Sequence, residues 1–321
     1  MPVTPADVAA ASRSIGNRLH RTPLLASATL GDAFGGRAYL KAELFQRTGS
    51  FKPRGMLAKL ASLSAEEKAR GVITVSAGNA AAALAYGASL ERIDCLVVMW
   101  QGASAQKLAA TRAYGAGIDL EAVEKAEAFE RLEALRAQSD RVFVHPFDDP
   151  RVIAGHGSLG LETLEARPDA EVILVPVGGG GLIAGVAAAV KTARPDVSVI
   201  GVEPEASAAM DAALAAGRPV AVDADSIADG LNAPFAGENT LVVCRELVDE
   251  LVLVSETEIL AAFRFLYERA KLAVEPAGAV GVAALLAAKI PEIEGKTVVA
   301  VVSGGNVAPE IASAILRGNE G

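Results

Sequence analysis

The chain has 321 residues, of which 51% are hydrophobic and only 4% aromatic, and its net charge is −9. A chain of this length and aliphatic content can bury a large core, and we expect two lobes rather than one compact unit. The acidic balance, without a basic cluster, argues against nucleic acid as a partner.

The apolar runs and the start of the chain bear on where the protein works. Runs such as residues 172–175 stop at a proline or glycine well short of a membrane span. Residues 1–7 show no basic head followed by an apolar stretch, so we expect no signal peptide, no membrane and a cytoplasmic location. Cys95 and Cys244 are far apart, which favours reduced thiols, and the three histidines are unclustered, which favours structural roles.

The pattern over residues 4–19 predicts an amphipathic helix capped by Thr4, with Pro5 in its first turn. Residues 20–24 follow as an extended segment, and residues 37–43 alternate as a strand. From there short β-rich runs alternate with alanine-rich helical segments, which predicts a mostly parallel α/β sheet with helices on both faces. Further predicted strands are 71–75, 95–100, 142–145, 172–177, 197–202 and 297–302, and predicted helices include 81–90 and 152–165.

A single lysine stands out within residues 44–55. Lys52 lies between the small-residue turn at 48–50 and Pro53, so its backbone is restrained and its side chain cannot sweep freely through solvent. A lysine held in this way suits Schiff-base chemistry. The alternative is an ordinary loop that caps the helix beginning near Arg54.

Two loops join a predicted strand to a predicted helix through small residues. Residues 76–80 end a strand at a helix N-terminus, which leaves backbone N–H groups free for a carboxylate or phosphate, although Asn79 could simply cap the helix. Residues 178–181 are four consecutive glycines, which let the backbone wrap an anion. A dinucleotide turn is the alternative, but no acidic residue is clearly placed about 20 positions on to bind a ribose.

The last predicted strand ends at Ser303, whose hydroxyl opens onto two glycines. Alone it could be a serine that ends a strand. Together with Lys52, Asn79 and residues 178–181, however, it resembles the pyridoxal-phosphate enzymes of the serine/threonine dehydratase group, which have the fold-type II architecture. The resemblance covers nearly the whole chain.

The resemblance implies a two-lobed α/β fold with mostly parallel, twisted sheets. Residues 63–146 would form a small lobe inserted into a large, cofactor-binding lobe made of residues 1–62 and 147–321. It implies pyridoxal 5′-phosphate as the cofactor, an amino acid as the substrate and a homodimer. The cofactor would be held by Lys52, which would also remove the α-proton, and by Asn79, Gly178, Gly179, Gly180, Gly181, Leu182 and Ser303.

The same resemblance places the substrate carboxylate on the loop after the second predicted strand, where this chain departs from its relatives. The relatives usually read Ser-Ser-Gly-Asn-His-Ala; here the second serine is Ala77 and the histidine is Ala80. Alanine carries no proton, which disfavours racemisation. The two small side chains could accommodate a bulkier substituent such as phenyl, or they could be neutral toward the substrate. The substrate-binding residues implied are Ser50, Ser76, Ala77, Gly78, Asn79 and Ala80.

The function implied is a dehydratase that converts L-threonine, L-serine or a bulkier L-β-hydroxy-α-amino acid to a 2-oxo acid and ammonia. The alternatives are a β-replacement enzyme, disfavoured by Pro53 where such enzymes usually have aspartate, a non-catalytic ligand sensor, and a nicotinamide oxidoreductase. We predict no metal, because Ala209 replaces an aspartate that some relatives use beside the position of Glu203. Glu275 is a weaker site candidate, and residues 229–232 are expected just behind the substrate.

Overall fold

The computed structural model describes residues 1–103 and 105–318, and two sheets organise them. The strands are β1 (Leu24–Ala26), β2 (Arg37–Ala42), β3 (Val72–Val75), β4 (Cys95–Trp100), β5 (Gly117–Ala122), β6 (Val142–Phe143), β7 (Val172–Pro176), β8 (Ser198–Pro204), β9 (Glu250–Val254) and β10 (Thr297–Val302). The helices are α1 (Pro5–Ile15), α2 (Ala28–Phe34), α3 (Pro53–Ala61), α4 (Ala65–Arg70), α5 (Asn79–Glu91), α6 (Ala105–Ala113), α7 (Lys125–Gln138), α8 (Pro150–Ala166), α9 (Gly181–Ala193), α10 (Ala209–Ala216), α11 (Glu238–Leu247), α12 (Glu256–Glu268), α13 (Pro276–Leu286) and α14 (Pro309–Leu316).

The larger sheet has six strands in the order β1-β2-β10-β7-β8-β9, and only the β1–β2 pairing is antiparallel. Its central strands are buried along their whole length, as expected of a parallel sheet covered on both faces. One apolar cluster contains side chains of α1, α8, α9 and α11, and a second contains side chains of α12 and α13. The α/β architecture predicted from the alternating pattern is therefore confirmed.

The smaller sheet has four parallel strands in the order β5-β4-β3-β6. The alanine-rich face of α5 packs on it in one apolar cluster, and residues of α7 pack with β3 and β4 in another. All four strands come from the chain between β2 and β7 of the larger sheet. No helix in the described part of the chain combines the length and apolar character needed to cross a membrane.

Both sheets contain a point where the strand order reverses. In the larger sheet the chain returns to insert β10 between β2 and β7, and in the smaller sheet it runs outward from β3 and then returns to add β6 on the other side. Loops that leave neighbouring strands in opposite directions open a crevice at the carboxyl ends of those strands. We therefore expect ligand binding after β7 and β10, and after β3 and β6.

Predicted and observed elements differ in two ways. The first helix ends at Ile15, before the predicted residue 19, because Gly16 adopts φ 51° and ends the helical backbone. Strands β5 and β9 were not predicted, and β1 was predicted only as part of an extended segment. All three lie at the edge of their sheet.

Candidate functional site

A cavity of about 400 Å³ lies where the carboxyl ends of the two sheets meet. The larger sheet contributes the loops after β7 and β10, and the smaller sheet contributes the loops after β3 and β6. These are the loops at the two reversal points. The volume falls in the range of pockets that hold small molecules and cofactors.

The loop that carries the lysine is fixed to the end of β10. Ser50 and Gly304 form an antiparallel β-bridge, and the N–H of Phe51 donates to the carbonyl oxygen of Ser303 at 3.0 Å. Thr48, earlier in the loop, adopts φ 63°, a conformation that is strained for a β-branched residue. These contacts hold the backbone of Lys52 at the carboxyl end of β10.

Lys52 lies immediately before α3, and its side chain reaches the cavity wall. Its Nζ donates a hydrogen bond to the carbonyl oxygen of Pro146 at 3.0 Å. Burial lowers the pKa of Lys52 to about 8, and the negative charge of Glu275 opposes that shift. The half-buried side chain is therefore a neutral amine more often near pH 7 than an exposed lysine is, which favours both nucleophilic attack and proton transfer.

The four glycines connect β7 to the N-terminus of α9 in a space that admits no side chain. A Cβ atom on Gly179 would lie 2.4 Å from the ring of Phe147, and one on Gly178 would lie 2.9 Å from the carbonyl oxygen of Leu231. Gly180 has φ 91°, which L-residues with a side chain rarely adopt. Backbone N–H groups and the positive end of a 13-residue helix thus face a cavity, which is suited to a phosphate.

A second helix N-terminus reaches the cavity from the smaller sheet. The loop between β3 and α5 is held partly by Ser76, whose Oγ accepts from the N–H of Gly78 at 3.2 Å. The N–H groups in the first turn of an α-helix have no acceptor within the helix. The start of α5 therefore offers several backbone N–H donors to a carboxylate. These donors lie on the part of the cavity wall that the smaller sheet contributes, whereas the glycine loop belongs to the larger sheet.

Asn79 is held from two sides. Its Nδ2 donates to Oε1 of Glu275 at 2.8 Å, and its Oδ1 accepts from Nδ2 of Asn306, also at 2.8 Å. Glu275 is buried, and burial together with the nearby charge of Asp229 raises its pKa to about 7. Asn79 and Glu275 thus form a buried polar pair on the cavity wall, close enough to Lys52 for the charges of Glu275 and Lys52 to interact.

The structure brings nearly all of the predicted site residues to this one cavity. Ser50 is the exception: it is fully buried, it is absent from the cavity wall, and its Oγ has no hydrogen-bond partner among the described residues. The predicted residues that line the cavity are Lys52, Ser76, Ala77, Gly78, Asn79, Ala80, Gly178, Gly179, Gly180, Gly181, Leu182 and Ser303.

Several wall residues were not among the predicted site residues. The segment 229–232 lines the cavity directly, whereas we expected it from the sequence to lie behind the substrate. Lys107 also lines the cavity and forms an ion pair with Asp229. Trp100, Phe129 and Phe147 add aromatic surface. Glu275, the weaker candidate, also lines the cavity, and an acid followed by a proline at a helix start had indicated it. No local pattern marked the aromatic residues.

The side chain of Glu203, a possible cation ligand by sequence, caps the N-terminus of a helix. Its two carboxylate oxygens accept the N–H groups of Met210 and Asp211, in the first turn of α10, at 2.9 and 2.8 Å. Burial raises the pKa of Glu203 to about 8. Across the described ranges, 1–103 and 105–318, no group of three or more His, Cys, Asp or Glu side chains is arranged to hold a metal ion.

His145, His156 and the two cysteines lie in packed surroundings, whereas His20 is exposed. His145 accepts from the N–H of Asp148 at 2.8 Å through Nδ1, and its ring packs edge-on against Phe147, while burial lowers its pKa to about 4. His156 is fully buried and packs edge-on against Phe51. The free thiols, Cys95 and Cys244, are both buried.

Comparison with known proteins gives a consistent picture. The family model described as "Pyridoxal-phosphate dependent enzyme" matches residues 15–304. The chain is 45% identical over 306 residues to the L-threonine ammonia-lyase of Thermotoga maritima, which covers 95% of this chain and 76% of that protein. It is 39% identical to the catabolic L-threonine dehydratase of Escherichia coli K12, over 96% of this chain and 94% of that one.

Solved structures with the same fold include a maize serine racemase, with a TM-score of 0.93 and 33% identity over 99% of this chain and 98% of that one. Another is a T.th. threonine deaminase, with a TM-score of 0.88 and 42% identity over 95% of this chain and 99% of that one.

Proposed function

Because the chain belongs to the family of pyridoxal-phosphate dependent enzymes, we propose that it converts an L-β-hydroxy-α-amino acid to a 2-oxo acid and ammonia. L-Threonine, L-serine and bulkier analogues are the candidate substrates, since the similar proteins are named threonine ammonia-lyases and dehydratases. The observation that carries the proposal is the amine of Lys52, with its lowered pKa, placed in one cavity with the glycine loop and the start of α5.

The residues around Lys52 fit the family's cofactor. The glycine loop at 178–181, followed by Leu182 at the start of α9, would hold the phosphate, because only backbone donors fit between Phe147 and Leu231. Ser303, at the end of β10, would face the ring nitrogen. Asn79 uses one Nδ2 hydrogen for Glu275, and the second would be available to donate to the cofactor.

Pyridoxal phosphate, when bound, withdraws electrons from the α-carbon of an amino acid, which lowers the barrier to loss of the α-proton. Lys52 would hold the cofactor, and its Nζ would accept the α-proton of the substrate. A pKa of about 8 suits this task, because a general base works best when its pKa is near the operating pH.

The start of α5 would bind and orient the substrate carboxylate. Ser76 and the N–H groups of residues 77, 79 and 80 would be the donors. Serine racemases are among the structural relatives, but the side chain of Ala77 on this wall has no proton to transfer. We therefore infer that the L-isomer is consumed and that no D-isomer forms.

The test is release of a 2-oxo acid from L-threonine, L-serine, L-threo-3-phenylserine and L-threo-3-hydroxyaspartate by the cofactor-loaded protein. Lys52→Ala should abolish it, whereas Lys68→Ala, which removes a partly exposed lysine paired with Glu91, should leave it unchanged. Oxo acid from none of the four would refute the dehydratase. Formation of a new amino acid when sulfide is supplied would then favour β-replacement.

Three further features of the protein are part of the proposal. We propose that residues 63–146 form the small lobe and that residues 1–62 and 147–321 form the large one. The protein would act as a homodimer, following the habit of the family that it resembles, and in the cytoplasm, where its two buried thiols stay reduced. Its net charge of −9 supports the absence of nucleic acid among its partners.

A further inference from the structure

Four of the residues that line the cavity from the smaller sheet and its helices are apolar. Ala77 and Ala80 lie at the start of α5, Trp100 ends β4, and Phe129 belongs to α7. We call these four residues the apolar wall. Trp100 packs against both apolar clusters of the smaller sheet, so the wall is continuous with the core beneath it. From the larger sheet's side, Ala224, Ala233 and Pro234 line the same cavity.

The polar side chains of the cavity are already paired with one another or with neighbours. Lys107 forms its ion pair with Asp229, and Asn79 is bonded to Glu275. Asn232 accepts from the N–H of Ser226 at 3.1 Å and donates to its carbonyl oxygen at 2.8 Å.

The charge on the wall decides against an acidic substituent. Among the described residues that line the cavity, lysine is the only cationic type and arginine is absent. Lys52 would be occupied by the cofactor, and Lys107 is paired with Asp229. A second carboxylate on the substrate would therefore be desolvated without a dedicated cation, which is costly.

The aromatic residues of the wall favour a large apolar substituent over a small one. Trp100 and Phe129 are only partly buried on this cavity, and a methyl group or a hydrogen on the β-carbon offers them little apolar contact. An aryl group offers them more. Aromatic rings prefer edge-to-face or offset contacts with each other, which Trp100 and Phe129 can supply.

We propose that the preferred substrate carries an aryl group on the β-carbon, with L-threo-3-phenylserine as the model compound. This inference rests on the proposed dehydratase function. The reaction is balanced: the β-hydroxyl leaves as water, one water molecule is taken up again, the amine leaves as ammonia, and phenylpyruvate is the 2-oxo acid released.

The kinetic test compares kcat/KM for L-threo-3-phenylserine, L-threonine and L-threo-3-hydroxyaspartate. We expect phenylserine to exceed threonine at least tenfold, which is the usual discrimination by an apolar pocket, and hydroxyaspartate to be the poorest substrate. Phe129→Ala should lower kcat/KM for phenylserine about tenfold and change that for threonine less than twofold. Tyr267→Ala, which removes a 45% exposed ring from α12, is the matched control and should change neither.

A binding test is independent of turnover. Trp100 is the only tryptophan in the chain, so the protein's tryptophan emission reports on the apolar wall. In cofactor-loaded Lys52→Ala, phenylserine should change that emission at a concentration at least tenfold lower than threonine does. Phe129→Ala in the same background should remove this difference.

The two tests separate failure of the inference from failure of the function. Turnover of threonine equal to or better than that of phenylserine would overturn the aryl preference and leave the dehydratase intact. Oxo acid from no substrate would refute the dehydratase. In that case tighter binding of phenylserine than threonine would still support an aryl-binding wall, and equal binding would overturn it.

Discussion

Replacing Arg54 by methionine tests how firmly the lysine loop is anchored in the core. Arg54 lies two residues after Lys52 in α3, and its side chain is 1% exposed. It donates from Nε and Nη2 to the two carboxylate oxygens of Glu43, both at 2.8 Å, and from Nη1 to Glu162 at 2.7 Å. Lys41 is the second cation of this buried cluster and lies 2.9 Å from Glu162.

The magnitude follows from what Glu43 would lose. With Arg54 gone, the fully buried carboxylate of Glu43 keeps only the hydroxyl of Thr22 as a hydrogen-bond donor from the side chains around it in the described structure. Removal of one partner of a buried ion pair typically costs about 3–5 kcal/mol. An exposed pair is worth at most about 1 kcal/mol. The pair of Arg151 with Asp7, whose side chains are 53% and 33% exposed, provides the matched control.

The assay is urea unfolding of Arg54→Met and Arg151→Met, followed by circular dichroism. With an m-value of about 3 kcal/mol per molar urea, we expect the midpoint of Arg54→Met to fall by about 1–2 M and that of Arg151→Met by less than about 0.4 M. Arg54→Met combined with Glu43→Met should recover much of the loss, because apolar residues can replace a buried pair. Equal midpoints for the two single variants would refute the reasoning.

Three other predictions concern the cofactor site and pH. Uptake of pyridoxal phosphate by the cofactor-free protein, followed by absorbance, should accelerate as pH rises through about 8, the lowered pKa of Lys52. Glu275→Gln removes a negative charge that raises this pKa, so the midpoint of the pH profile should move to lower pH. An unchanged midpoint contradicts the assignment. Gly179→Ala should weaken cofactor binding about tenfold in a cofactor titration, because its Cβ meets the Phe147 ring. Adding Phe147→Ala to this variant should restore part of the affinity. No loss of affinity in Gly179→Ala would count against phosphate binding by the glycine loop. The pKa of Glu203 is raised to about 8, so its contribution to stability is complete below pH 4.5 and is lost as pH rises through 8. Between pH 5 and pH 8 the urea midpoint of Glu203→Gln should therefore fall less than that of the parent protein. Parallel plots of midpoint against pH for the two proteins would argue against the shift.

The interior strands were predictable because burial on both faces leaves a continuous apolar run. Val172–Pro176 and Thr297–Val302 are fully buried, and both were recognised with bounds within a residue or two. The edge strands Gly117–Ala122 and Glu250–Val254 carry acidic residues and are only partly buried. An edge strand has only one neighbour and faces solvent, so its sequence resembles that of a loop and gives no comparable signal.

The chemical part of the site was predictable for a related reason. Lys52, the glycine loop and the start of α5 act largely through backbone geometry, and a restrained turn, a run of glycines or a helix start is visible in a few consecutive residues. Ser50, predicted from its proximity to Lys52, is not among the residues that line the cavity. Its backbone pairs with Gly304, and its side chain is fully buried instead of lining the cavity.

The apolar wall shows why recognition was harder to predict than chemistry. Trp100 and Phe129 come from a strand end and from the middle of a helix, and neither has a local pattern that distinguishes it from a core residue. They become site residues only because two parallel sheets place their carboxyl ends on the same cavity. Substitutions on this wall can therefore change the substrate while the lysine, the glycine loop and the start of α5 keep the same reaction. Ala77 and Ala80 lie among the donors proposed for the substrate carboxylate, so substitutions there should alter substrate preference and reaction outcome together.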